Sequence, residues 1–131
     1  MIEEAVIAYL KADATIQSNL GSGTACRLYP DAAPKDPTAP YAVWRVQSDP
    51  GRTKGNVANE LLLGFSIFAT TKLAAETIKR RLDVLLDKDT SIAVASGSIK
   101  VHSCWLYGGS SIYEKDTQLY HRVALYALLY A

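Results

Sequence analysis

Two histidines, two cysteines and a few short charged or glycine-rich clusters are the groups in this chain from which chemistry could be built. His102 and His121 each fall in a run that alternates as a strand. Spacing gives neither the positioned partner that a general base or a ligand needs, so both read as structural hydrogen-bonding groups. Cys26 and Cys104 sit in separate apolar runs with no second Cys or His at ligand spacing, and they read as buried thiols rather than a disulfide or a metal site. Glu114, Lys115 and Asp116 offer two carboxylates. With Thr117 following, they read instead as an exposed turn held by local hydrogen bonds. Lys79, Arg80 and Arg81 fan out by about 100° per residue along a helix, so they read as a solvated face and not as one phosphate site. Gly21-Ser22-Gly23-Thr24 has the outline of a phosphate loop but lacks the following Lys and the preceding strand, and reads as a helix stop. The sequence has no nucleophile elbow, no zinc spacing and no dinucleotide fingerprint. The residue chemistry is that of a non-catalytic chain without metal or cofactor.

The elements that carry these groups show most clearly in residues 59–87. Leu61, Leu63, Phe65 and Ile67 alternate onto one face of a strand, with Glu60, Gly64 and Ser66 on the other, where Leu62 and Phe68 interrupt the polar pattern. From Thr71 the period changes. Ala75, Ile78, Leu82 and Leu85 recur at helical steps, with Lys72, Glu76, Lys79, Arg80, Asp83 and Asp87 expected outside. A long strand followed at once by an amphipathic helix implies a sheet with a helix laid across it.

Before that unit, residues 2–12 read as a helix with Ile2, Ala5, Val6, Tyr9 and Leu10 on its buried face. Asp13 caps a second short one that carries Ile16 and Leu20. Residues 25–29 read as a strand. Pro30, Pro34, Pro37 and Pro40 then keep a loop of about ten residues extended, either a contact surface or a plain crossover. Residues 41–48 read as a strand, and residues 49–57 as a mobile hairpin loop carrying Arg52 and Lys54. After the helix come a connection over residues 87–98, a strand from Ile99 to Tyr107, a turn or bulge at Gly108-Gly109-Ser110-Ser111, and a last strand over residues 118–130. The expected fold is α/β in the α+β sense: a mainly antiparallel mixed sheet with an N-terminal helix and one long amphipathic helix packed on it.

At 131 residues and 14.3 kDa the chain is one domain, residues 1–131. A net charge of +1 argues against a dedicated nucleic-acid binder. No apolar run approaches the roughly 18 residues of a membrane span, and the acidic start MIEEAVIAYL lacks the positive region of an export signal. The last strand places Leu119, Val123, Leu125, Ala127 and Leu129 on one face, and Tyr120, Arg122, Tyr126, Leu128 and Tyr130 on the other. Bulk on both faces leaves two possibilities for the second one. Either the N-terminal helices cover it, or another subunit does, for which amphipathic tyrosines are suited.

Residues 111–122, SIYEKDTQLYHR, run into that strand with a Tyr-Glu-x-Asp-Thr-x-Leu-Tyr-x-Arg pattern. Upstream, in order, stand residues 10–14 LKADA, Gly21, residues 27–30 RLYP, residues 39–44 APYAVW, and Phe68-Ala69 before an Ala- and Leu-rich helix. This series resembles the tail-completion, or tail-terminator, family of tailed bacteriophages over nearly the whole chain. Ser110 and Ser111 depart from it, since charged residues often precede the Tyr-Glu pair in the family. The resemblance implies a virion structural protein of the phage tail that assembles as a homohexameric ring on the head-proximal end of the tail tube, inside the bacterial host cytoplasm. Its partners would be copies of itself, the tail tube protein and the head connector protein, with DNA only in passage and no membrane. It makes Tyr113, Tyr120, Tyr126 and Tyr130 subunit-interface candidates, and Arg52 and Lys54 candidates for a loop facing the lumen or the tube. Two other readings compete: a head-tail joining protein at the neck of the same particle, and a small nucleic-acid-binding module stacking bases on Trp44, Trp105 and the tyrosines.

Overall fold

The computed structural model describes residues 2–52, 59–87 and 94–131, with backbone alone for residues 48–52. Two helices open the chain. The first, α1, is Ile2–Lys11, with Glu3 and Glu4 in its first turn and Lys11 in its last, each sign suited to the helix dipole. The second, α2, is Ala14–Leu20, and Asp13 caps it by accepting from the Ile16 N–H at 3.0 Å. It stops at Gly21, whose φ of +93° favours glycine and whose absent Cβ would stand 2.8 Å from the Ala25 carbonyl oxygen. A 3₁₀ turn, Gly23–Ala25, takes the first residue of the expected strand, Cys26 and Arg27 lie between, and β1 is only Leu28–Pro30.

The sheet then assembles from β2 (Tyr41–Arg52), β3 (Asn59–Ala69), β4 (Ala95–Ser96), β5 (Ile99–Glu114) and β6 (Leu119–Tyr130), with α3 (Lys72–Leu86) between β3 and β4. Its order is β1-β2-β3-β6-β5-β4, with only the β1–β2 pair parallel. This is the expected α+β architecture. Thr71 starts α3 by accepting from the Ala74 N–H at 3.1 Å. The strand β2 runs four residues beyond its expected end, and Lys54 lies outside the described residues.

The Gly108-Gly109 pair makes a bulge and no turn. The strand β5 continues through it to Glu114, with its register against β6 shifting between Leu106 and Gly108. A Cβ on Gly109 would stand 2.3 Å from the Val123 carbonyl oxygen, so glycine there lets the two strands close up. The chain reverses just afterwards, where Thr117 Oγ1 donates to Glu114 Oε2 at 3.1 Å, the local bond anticipated for that turn.

All three helices lie on one face of the sheet. Leu61, Leu63, Phe65 and Ile67 of β3 join Ala124, Tyr126 and Leu128 of β6 in a single core with Val6 and Leu10 of α1, Ile16 and Leu20 of α2, and Ile78 and Leu82 of α3. Burying each large side chain of this set contributes about 1.5–3 kcal/mol. The face of β6 that carries tyrosines is therefore the helix-covered one. The face left without a helix is that of Leu119, His121, Val123, Leu125, Ala127 and Leu129, the last five in register with Phe68, Ser66, Gly64, Leu62 and Glu60 of β3.

Candidate assembly surfaces

Polar groups beneath α3 complete the covered face. The Tyr126 hydroxyl is buried and donates to Asp83 Oδ1 at 2.6 Å, and Lys79 Nζ stands 2.6 Å from Asp83 Oδ2. Burial, and then the Asp83 acceptor, push the Tyr126 phenol well above the ordinary tyrosine range. Tyr126, with 0% exposure, is thus a core residue, and the expectation that it meets a neighbouring subunit is corrected. Lys79 and Asp83, expected outside, are instead drawn inward, because Tyr126 needs an acceptor and the carboxylate needs a countercharge.

Arg81 also departs from the solvated-face reading. Its guanidinium forks onto both Asp13 carboxylate oxygens, with Nε 2.9 Å from Oδ2, and ties α3 to the cap of α2. The Arg81 hydrogen bond, outweighing the opposing effect of burial, holds the Asp13 carboxyl below its ordinary value of 3.8. A carboxyl depressed on folding contributes stability that is present above its ordinary value and lost as pH falls through the folded one. Arg81→Ala is therefore expected to destabilise the fold at neutral pH. The gap from the unmodified chain should narrow in urea melts below pH ~4, where Asp13 takes up its proton. A gap that stays constant through that range would contradict the assignment.

Of the other tyrosines singled out, Tyr113 is 46% exposed and leans on Tyr120 with ring centroids 4.8 Å apart. Tyr120 and Tyr130 are half-buried against the core. Only the backbone of Arg52, the last residue of β2, is described. Both cysteines are buried thiols, and burial together with Asp87 pushes Cys104 up to about 12, out of reach of ordinary thiolate chemistry. His102 is exposed. His121 stacks on Phe68 at 4.3 Å and places Nδ1 3.3 Å from Glu114 Oε1, the structural role expected of it. Among the described residues no group of three His, Cys, Asp or Glu side chains could hold a metal ion.

That stack belongs to a row of rings that sequence reasoning missed. On the helix-free face Tyr29, Tyr41, Phe68 and His121 follow one another across β1, β2, β3 and β6, at centroid distances of 6.4, 4.9 and 4.3 Å. Their sequence positions carry no common spacing, and only strand register aligns them. The proline-rich loop covers one corner of this face. Asp31, Ala32 and Ala33 border a cleft of about 320 Å³ shared with Tyr41, Arg45, Phe68 and His121. Beyond that corner Val123, Leu125 and Leu129 remain half-buried, and Ile112 of β5 is 52% exposed.

The fold and these surfaces define a class: a small α+β subunit with a sheet covered by helices on one side, largely apolar on the other, and with no metal-holding cluster among the described residues. A profile of one family, tail completion protein gp17, matches residues 4–131. The chain belongs to that family, and it is accordingly a structural protein of a phage-type virion tail. Among curated proteins there is no match. One similar solved structure is a chain of the virion of a native gene transfer agent particle, with a TM-score of 0.75 at 15% identity, covering 98% of this chain and 93% of that one. At that identity the likeness is one of fold.

Proposed function

We propose that this chain is the tail terminator: a single domain, six copies of which form a ring on the head-proximal end of the tail tube, stop its growth and offer a surface to the head connector. The observation that carries this is the helix-free sheet face, half-buried and apolar through Leu62, Val123, Leu125 and Leu129, in a member of a tail-completion family. A lone subunit leaves such a face partly wet, and further burial has to come from neighbours or from the tube. A six-fold ring uses a heterologous contact, in which one patch meets a different patch on the next copy. Tyr113, with Tyr120 behind it and Tyr130 at the other end of β6, supplies aromatic contact area suited to such an interface. Arg52, at the end of β2, and Lys54 are assigned to a surface facing the lumen or the tube, where two scattered cations tolerate passing DNA without gripping it.

Solution mass across concentration, with negative-stain imaging of the purified chain and of particles, tests this reading. Six-fold rings, and label at the head-proximal end of the tail, are the expected results. Particles with tails that lack this polypeptide would end the proposal. Replacing Arg52 and Lys54 together by Glu is expected to reduce infectivity while leaving the isolated fold intact. Normal ring assembly with full infectivity would remove the lumen assignment alone.

A further inference from the structure

The edges of the sheet specify how one copy could meet the next. Outside β5 the short β4 pairs only with Ile99 and Lys100. Two further outward groups are satisfied: the Val101 N–H donates to the Val94 carbonyl at 3.2 Å, and the Leu106 N–H to Asp87 Oδ1 at 2.8 Å. Beyond Leu106 the register decides direction. Ala131 exchanges both hydrogen bonds with Lys100, so alternate residues of β6 back to Leu119 turn toward β5. Their partners Gly108, Ser110, Ile112 and Glu114 therefore point inward. Gly109, Ser111 and Tyr113 point their backbone N–H and C=O groups away from the sheet, and no strand among the described residues receives them.

A free edge is ordinarily guarded by lysine, proline or a buried charge. Residues 107–113, YGGSSIY, contain none of these, and the bulge falls at the start of the run. Tyr107, Ile112 and Tyr113 are 64%, 52% and 46% exposed along it. At the far end of the same sheet, among the described residues, β1 covers only Ala42, Val43 and Trp44 of β2, a strand that continues to Arg52 with register shifts after Val46 and Ser48. Pro50 stands near its end, so the open part of this edge is the stretch just past Trp44. One chain thus bears two incomplete edges at opposite ends of one sheet, two different patches that a head-to-tail contact would join. The unmet main-chain groups call for a strand, and the second edge identifies its source as another copy of this chain.

We propose that β5 of one copy, through residues 109–113, adds by main-chain hydrogen bonds to the β2 edge of a second copy past Trp44, so that neighbouring sheets continue into one another. This rests on the ring reading and specifies its interface. Ser111→Pro tests it, because the N–H it removes faces outward and the ladder to β6 is untouched. Ser111→Ala, which keeps the N–H, is the control. Sedimentation of the full chain from about 10 μM to about 1 mM should show association that Ser111→Pro weakens by roughly tenfold or more, and that Ser111→Ala leaves unchanged. Far-UV circular dichroism checks that both variants are folded. In the unmodified chain, hydrogen exchange at Gly109, Ser111 and Tyr113 should slow on assembly, a readout that stands even if the proline variant does not fold. Rings that form equally well from Ser111→Pro, or that leave those amides exchanging as in the monomer, overturn the edge pairing and leave the ring in place. An unmodified chain that stays monomeric throughout also overturns the pairing, while the ring itself is decided separately on particles.

Discussion

Phe65→Ala is expected to lower the stability of the fold by about 3–5 kcal/mol. Phe65 is 1% exposed at the centre of the covered face and meets Tyr126 edge-on with ring centroids 5.8 Å apart. Its cross-strand neighbours are Trp44 on β2 and Ala124 on β6. The small methyl of Ala124 cannot grow into the space that the ring leaves, and Trp44 is held at the edge of the core by its own strand. The cavity therefore persists, which puts the cost toward the upper end of the range. For a chain of this length that corresponds to a fall in Tm of roughly 10–20 °C. Urea unfolding of the purified chain should show a lower midpoint with an unchanged slope. A loss below about 1 kcal/mol would mean that Phe65 is not at the centre of the packing.

The second large effect lies in the polar group under α3. Asp83→Ala removes at once the acceptor for the Tyr126 hydroxyl and the countercharge for Lys79, both of them buried. Leaving a buried hydroxyl and a largely buried ammonium unpaired should cost about 3 kcal/mol, reduced from the range for fully buried pairs because Asp83 keeps 25% of its side-chain exposure. Two further variants divide that loss. Tyr126→Phe removes only the hydroxyl and should cost about 1 kcal/mol. Asp83→Asn keeps an acceptor for Tyr126 while depriving Lys79 of its partner, and should fall between the two. In a double-mutant cycle Asp83 and Tyr126 should couple by about 1 kcal/mol, and strict additivity would show that the short hydrogen bond contributes nothing.

These two sites also mark the boundary of what the chain discloses before it is folded. The alternation of Leu61, Leu63, Phe65 and Ile67, and the change of period at Thr71, fix β3 and α3 without reference to anything distant, because burial on one face imposes its own repeat. Asp13 as a cap and Gly21 as a stop are equally local: each answers the unsatisfied groups of a helix end a few residues away. The ordered run of short motifs ending in residues 111–122 likewise pointed to the tail-completion family that the profile match supports over residues 4–131.

What the sequence by itself determined, then, was the three helices and the long strands, though not β4 or the full run of β5, together with the α+β class and the kinship, since periodicity, capping and motif order are properties of neighbouring residues. The tertiary structure alone decided which face of β6 the helices cover. Both faces are apolar enough to be buried, and the choice depends on α1, α2 and α3 all docking on the side of Leu63 and Tyr126. That choice moved Tyr126 from candidate contact to core, drew Lys79 and Asp83 inward beneath it, and left Leu125 and Val123 on the helix-free side. It also decided the row from Tyr29 to His121 and the outward turn of Gly109, Ser111 and Tyr113, because both depend on pairing between strands far apart in the chain, which no local repeat encodes.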